Sequence, residues 1–135
     1  MQTKSLNICL HDVVKDTSGL RTVYDTAWQQ VKDIVELLEK LRTEKVIDSY
    51  HIFFDDGYKS SLRVVQDIDF GVSNKNIHLA IITNDIGKPN KLTAKDIMKL
   101  SNQGFTIDSH GVSHAALAIF AKGSLLPSLV GGNYK

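Results

Sequence analysis

The chain has 135 residues, 42% of them apolar and 23% charged, the composition of one folded domain rather than a disordered segment. Sixteen Lys and Arg against fifteen Asp and Glu leave a net charge of +1, so bulk electrostatic binding of nucleic acid is excluded as a main activity. The single Cys excludes an internal disulfide, and no apolar run approaches the roughly 18 residues of a membrane helix, so the expectation is a soluble, cytoplasmic chain with no nucleic-acid or membrane partner.

Leu6-Asn7-Ile8-Cys9-Leu10 reads as a short strand running into His11 and Asp12, followed by a polar loop. From Thr22 to Lys45 the apolar residues Val23, Ala27, Val31, Ile34, Val35, Leu38 and Leu41 recur at three- and four-residue steps, which predicts an amphipathic helix. Tyr50-His51-Ile52-Phe53-Phe54 predicts a second strand that stops at Asp55-Asp56-Gly57, and a short helix is expected near 60–68. Residues 77–83 form a third apolar run without alternation, the mark of a parallel strand covered on both faces. Thr93 with Asp96 has the form of a capping box opening a helix that Gly104 closes. Phe105-Thr106-Ile107 predicts a fourth strand ending at Asp108-Ser109-His110, and Ala115–Ala121 a further helix. Strand and helix alternate throughout, so the fold class is α/β with about four parallel strands and flanking helices. Chemistry in such folds gathers at the carboxyl ends of strands, which directs attention to His11-Asp12, Asp55-Asp56, Asn84-Asp85 and His110–His114.

Two carboxylates behind two phenylalanines are costly unless paired or bound to a cation, although Asp-Gly is also ordinary turn chemistry. Gly57 can relax the backbone so that both carboxylates serve one cleft. His110 and His114 stand four apart, and at the start of a helix they would share a face. With Asp56 they make a two-histidine, one-carboxylate set, which leaves coordination positions open for water and substrate. His51 and His78 sit inside apolar strands and read as packed core or sheet-face residues, Cys9 as a buried, unactivated thiol, and Trp28 as packing.

Phe54-Asp55-Asp56-Gly57-Tyr58 resembles the first motif of the polysaccharide deacetylases, carbohydrate esterase family four. Ile107-Asp108-Ser109-His110-Gly111-Val112-Ser113-His114 resembles their second, and Leu10-His11-Asp12-Val13 is similar to the strand that opens many members. The resemblance implies a partial (β/α) barrel and a metal-dependent hydrolase of carbon–nitrogen, non-peptide bonds that removes acetyl groups from N-acetylated sugars or polysaccharides. It implies that Asp56, His110 and His114 hold a divalent metal, zinc above all, with cobalt and nickel as alternatives, and that Asp55 is the general base. His11 and Asp12 become residues supporting that site, and a carbohydrate becomes the substrate.

The residues after His114 contain no Arg, Asp, Trp or His, so the family's later motifs, the general acid among them, find no match. The chain therefore reads as residues 1–122 of a deacetylase-like domain truncated after its second motif, with 123–135 as a tail. A complete barrel of this type takes roughly 200 or more residues. Four strands cannot close a barrel, so self-association, or a partner covering an exposed apolar inner face, is expected. Two alternatives stand beside the enzyme: a non-catalytic remnant or accessory protein that keeps the metal-binding half, and a receiver-like phosphoacceptor domain, which leaves the two histidines unexplained.

Overall fold

The computed structural model describes residues 3–114. In chain order the elements are β1 (Ser5–Leu10), β2 (Val13–Val14), β3 (Thr26–Ala27), α1 (Trp28–Thr43), β4 (Ser49–Phe54), α2 (Ser60–Asp67), β5 (Ile77–Ile81), α3 (Ala94–Asn102) and β6 (Thr106–Ser109), with short 3₁₀ turns between them. The predicted helix at Ala115–Ala121 and the tail 123–135 lie outside the described residues.

β1, β4, β5 and β6 form one parallel sheet in that order. Each new strand joins the same growing edge and the order never reverses, as in one wall of a (β/α) barrel. A doubly wound sheet would reverse at a switch point, so the receiver-like alternative falls. β2 and β3 form a separate two-stranded ribbon beside the start of α1.

One face of the sheet carries Leu10, Tyr50, Ile52, Phe54, Ile77, Leu79 and Ile81, packed with Val31, Val35 and Leu38 of α1, Val64 and Val65 of α2 and Leu100 of α3 in a single core. The Tyr50 hydroxyl, taken into this core, lies within hydrogen-bond reach of both the Phe70 carbonyl and the Glu39 carboxylate, so its one proton has an acceptor as burial requires. The opposite face differs from expectation. β4 alternates half-buried and buried positions. Its register places Asn7 beside His51, Cys9 beside Phe53, Phe53 beside His78, and His78 beside Thr106, so this face is mixed and largely polar rather than apolar. Cys9 is accordingly exposed, not buried, because it lies on the side the helices do not cover.

α1 begins at Trp28, six residues later than its periodicity suggests. Asp25 accepts hydrogen bonds from the Arg21 and Thr22 amides and from the Thr22 hydroxyl, which folds that stretch into a turn. Val23, counted on the apolar face, is 93% exposed. Gln30 instead caps the helix by accepting from the Ala27 amide at 2.8 Å. Thr93 and Asp96 form the expected capping box at α3, and Gly104, with φ of 88°, follows its end. No helix among the described residues is long and apolar enough to cross a membrane.

Candidate metal centre

The carboxyl ends of β4 and β6 meet at one rim of the sheet, and each delivers part of a ligand set. β4 ends at Phe54, where the chain turns through Asp55-Asp56-Gly57 with φ of 68° at Asp56 and 63° at Gly57. Asp tolerates the left-handed region better than most residues. At Gly57 an added Cβ would be strained by that φ and would lie 3.3 Å from Ile81 Cδ1. The double turn breaks strand alternation, so both carboxylates reach the same side: Asp56 Oδ1 lies 3.4 Å and Asp55 Oδ2 3.9 Å from His110 Nε2.

At β6 the sheet ladder runs one residue past the strand, because the His110 amide donates to the Ile81 carbonyl at 2.8 Å. Gly111 (φ 88°) then turns the chain, and its carbonyl accepts from the Thr83 amide, as that of Val112 does from Asn84. These bonds staple the loop to the turn after β5 and bring His114 Nε2 to 3.5 Å from Asp56 Oδ1. The two histidines therefore converge through a fastened loop, not through the helical turn that their spacing suggests.

Asp56 Oδ1 is buried and has no hydrogen-bond partner. Such an oxygen is costly to bury unless a cation faces it. Tetrahedral zinc, with ligand bonds near 2.0–2.1 Å, sets neighbouring nitrogen and oxygen ligands about 3.3 Å apart. The observed 3.4 and 3.5 Å match, so the donor set of Asp56, His110 and His114 fits a divalent ion. Beside it Asp55 Oδ2 accepts a 3.0 Å hydrogen bond from Cys9 Sγ. Desolvation of the sulfur, then this carboxylate, pushes the Cys9 thiol up to about 12.

No protein-family model and no curated protein matches the sequence. Solved structures do. BC0361, a polysaccharide deacetylase from Bacillus cereus, superposes with a TM-score of 0.61 at 17% identity over 84% of this chain. A de-N-acetylase from Aggregatibacter actinomycetemcomitans gives 0.62 at 12% identity over 80% of this chain, and the Streptococcus pyogenes deacetylase PplD, solved with acetate, gives 0.58 at 14% over 85%. This is the polysaccharide deacetylase fold. The chain spans 40% of BC0361, 54% of the de-N-acetylase and 59% of PplD.

Within the deacetylase fold the two residues expected to support the site part company. His11 packs against Tyr24 with its ring tilted by 43° and centroids 5.2 Å apart, and brings a ring nitrogen within 4.8 Å of Cys9 and Asp55 ligand atoms. Asp12 instead accepts from the Ser60 hydroxyl at 2.7 Å and Arg21 at 2.8 Å, holding α2 and the β1–β2 corner together. Asp85 is tied to Lys88 at 2.7 Å, and that pairing keeps its carboxyl below the usual range. Trp28 packs against the core under the Arg63 guanidinium, 5.0 Å from its ring. It lines a cleft of about 610 Å³ together with Lys59, Ser60 and Arg63, a cleft to which none of the metal-set residues contributes.

Sequence reasoning missed Lys91. Its ammonium donates to the Asp56 carbonyl at 2.8 Å, sits 3.5 Å over the Tyr58 ring and lies 3.9 Å from Asp85. Burial lowers its pKa, against the pull of Asp56 and Asp85. Lys91 thus clamps the strained turn from below. Its backbone pairs with that of Tyr58 in an isolated antiparallel bridge, which sets the ammonium over the ring.

Proposed function

We propose that this chain carries the metal-binding part of a hydrolase that removes acetyl groups from N-acetylated sugars, with Asp56, His110 and His114 as ligands and Asp55 as general base. One observation carries the reading: a buried carboxylate oxygen of Asp56 lacks any hydrogen-bond donor yet faces two imidazole nitrogens at ligand spacing. The deacetylase fold supports it, and carbohydrate as the substrate class rests on that fold. Zinc suits this donor set, and cobalt and nickel take the same ligands.

A divalent ion held there would supply a Lewis acid that polarises an acetamide carbonyl and lowers the pKa of water. The chain's own residues supply the rest. Lys91 fixes the Asp56 turn. Asp55, 3.9 Å from His110 and outside the ligand set, removes a proton from water as the oxygen adds to the carbonyl carbon. The carbon–nitrogen bond then breaks, acetate leaves, and the proton taken by Asp55 is the one the sugar amine needs.

The test is metal content by plasma mass spectrometry, followed by acetate release from chitooligosaccharides, xylan and peptidoglycan fragments. Wild type should hold about one more zinc, cobalt or nickel per chain than the His110→Ala/His114→Ala variant, because that ion is bound only through the folded ligand set. Equal metal in the two proteins overturns the reading. Metal without acetate release from any of these substrates would leave a metal-binding protein that is not a deacetylase.

A further inference from the structure

The same rim holds a second set of ligand atoms that the deacetylase reading does not use as ligands. Cys9 and His11 are two apart at the end of β1, and Asp55 follows Phe53 by two at the end of β4. β1 and β4 run in register with Cys9 opposite Phe53, so the period-two geometry of neighbouring strands brings all three side chains to one side. The Cys9 sulfur, a His11 ring nitrogen and an Asp55 oxygen lie within 4.8 Å of one another. The sulfur–oxygen separation is 3.0 Å, and a tetrahedral ion between them needs about 3.5 Å, a rotamer-scale adjustment.

We propose that Cys9, His11 and Asp55 form a second divalent-metal site, one that contains a thiolate and selects soft or borderline ions such as zinc, cobalt and cadmium. Asp55 then stands between two ion sites: Oδ2 meets Cys9 on one side and, at 3.9 Å, His110 on the other. A metal arriving at the second site replaces the thiol proton that Cys9 shares with Asp55 and releases it to solvent. It also engages the lone pairs with which Asp55 would take a proton from water. Excess zinc is therefore an inhibitor built on this chain's own residues. This consequence rests on the proposed deacetylase reading, whereas the site itself does not.

Cobalt titration of the intact chain tests it, because thiolate ligation gives a sulfur-to-cobalt charge-transfer absorption that imidazole and carboxylate ligands do not. Wild type should take up two cobalt ions with that band, Cys9→Ser one ion without it, and His110→Ala/His114→Ala one ion with it. Serine keeps a hydroxyl donor toward Asp55, so the variant removes the soft ligand with little disturbance of the fold. His11→Ala and Asp55→Asn should each weaken the banded ion roughly tenfold or more, the least that even an outer-shell partner costs. A wild type without the band at saturating cobalt overturns the site. So does a band whose affinity is unchanged in both His11→Ala and Asp55→Asn, which would be coordination by a bare thiol. Loss of the His110/His114-dependent ion with the band retained would sink the deacetylase reading alone. In turnover assays, excess zinc should inhibit wild type and spare Cys9→Ser, and equal inhibition of both would overturn the inhibitory role.

Discussion

Two histidine pairs occur in this chain, and they are built to opposite ends. His51 and His78 sit on neighbouring strands with Nδ1 and Nε2 2.9 Å apart, and His78 passes its other nitrogen to Asp108 at 2.7 Å. His110 and His114 have ring centroids 5.6 Å apart, close to the 5.2 Å of the first pair, but both turn Nε2 toward one Asp56 oxygen that nothing else satisfies. Clustering of imidazoles and a carboxylate is common to the two. What separates them is hydrogen-bond closure: the sheet pair satisfies itself, whereas the rim set leaves an Asp56 oxygen buried without a donor. A ligand site is recognised by the atom left wanting, not by the residue types gathered around it.

The largest effect that would break this comparison concerns turnover. Asp55→Asn should lower acetate release by about 10²–10⁴-fold while leaving the ion bound through Asp56, His110 and His114 in place, the range ascribed to a positioned general base. Parallel loss of that ion would make Asp55 a ligand of the first site and blur the boundary drawn around it. Next comes stability. Zinc at a hundred times its Kd should stabilise wild type by about 2.7 kcal/mol against thermal unfolding. The same addition to Asp56→Asn should lack the increment that belongs to this site, since asparagine tolerates the left-handed turn but not the ligand role. Metal-free Asp56→Asn should be no less stable than metal-free wild type, because the variant removes a buried charge that lacks a donor. A destabilised metal-free variant would show that the imidazoles alone satisfy Asp56. Smaller again is the reactivity of Cys9. Although exposed, its thiol is held protonated well above pH 8, so alkylation there should be slow. Asp55→Asn, which removes the carboxylate but not the desolvation, should speed it roughly tenfold, a modest part of the gap to a free thiol.

The comparison also shows what a sequence can and cannot disclose. The strands and the box at Thr93 were readable because local chemistry determines them: apolar runs, a hydroxyl and a carboxylate three apart. That Asp56, His110 and His114 come together was readable because the turn and the loop that carry them are short and lie within recognisable motifs. The His51–His78 bond was not, since it joins residues 27 apart and depends on the β4–β5 register. Nor was the exposure of Cys9. Leu-Asn-Ile-Cys-Leu alternates, but only the side chosen by the helices decides which half of the alternation is buried. α1 starts later than its period suggests for a different reason: Val23 and Ala27 fit the period, yet Asp25 offers the backbone a competing turn. Lys91 stayed hidden because its partners are a backbone carbonyl and a ring face, neither of which leaves a mark in composition.

The smallest effect tests the sheet pair directly. Asp108 accepts from His78 at 2.7 Å, and the His78 side chain is 15% exposed against 40% for Asp108. Asp108→Ala takes away that acceptor but leaves His78 some access to water and its bond to His51, so the cost should be about 1 kcal/mol, the ordinary worth of one hydrogen bond. Asp108→Asn retains a carbonyl acceptor at the same place and should recover most of it. Neither variant should change the metal content, although Asp108 lies only two residues before His110, because the Asp108 carboxylate is engaged by His78 and the His110 amide is anchored independently on the Ile81 carbonyl. Thermal unfolding and metal analysis on the same preparations decide the matter. A loss of metal in Asp108→Ala that Asp108→Asn restores would mean that the chain His51–His78–Asp108 reaches the rim through β6. The self-satisfied pair would then be the outer support of the open one, and the division between them would be one of layers in a single site.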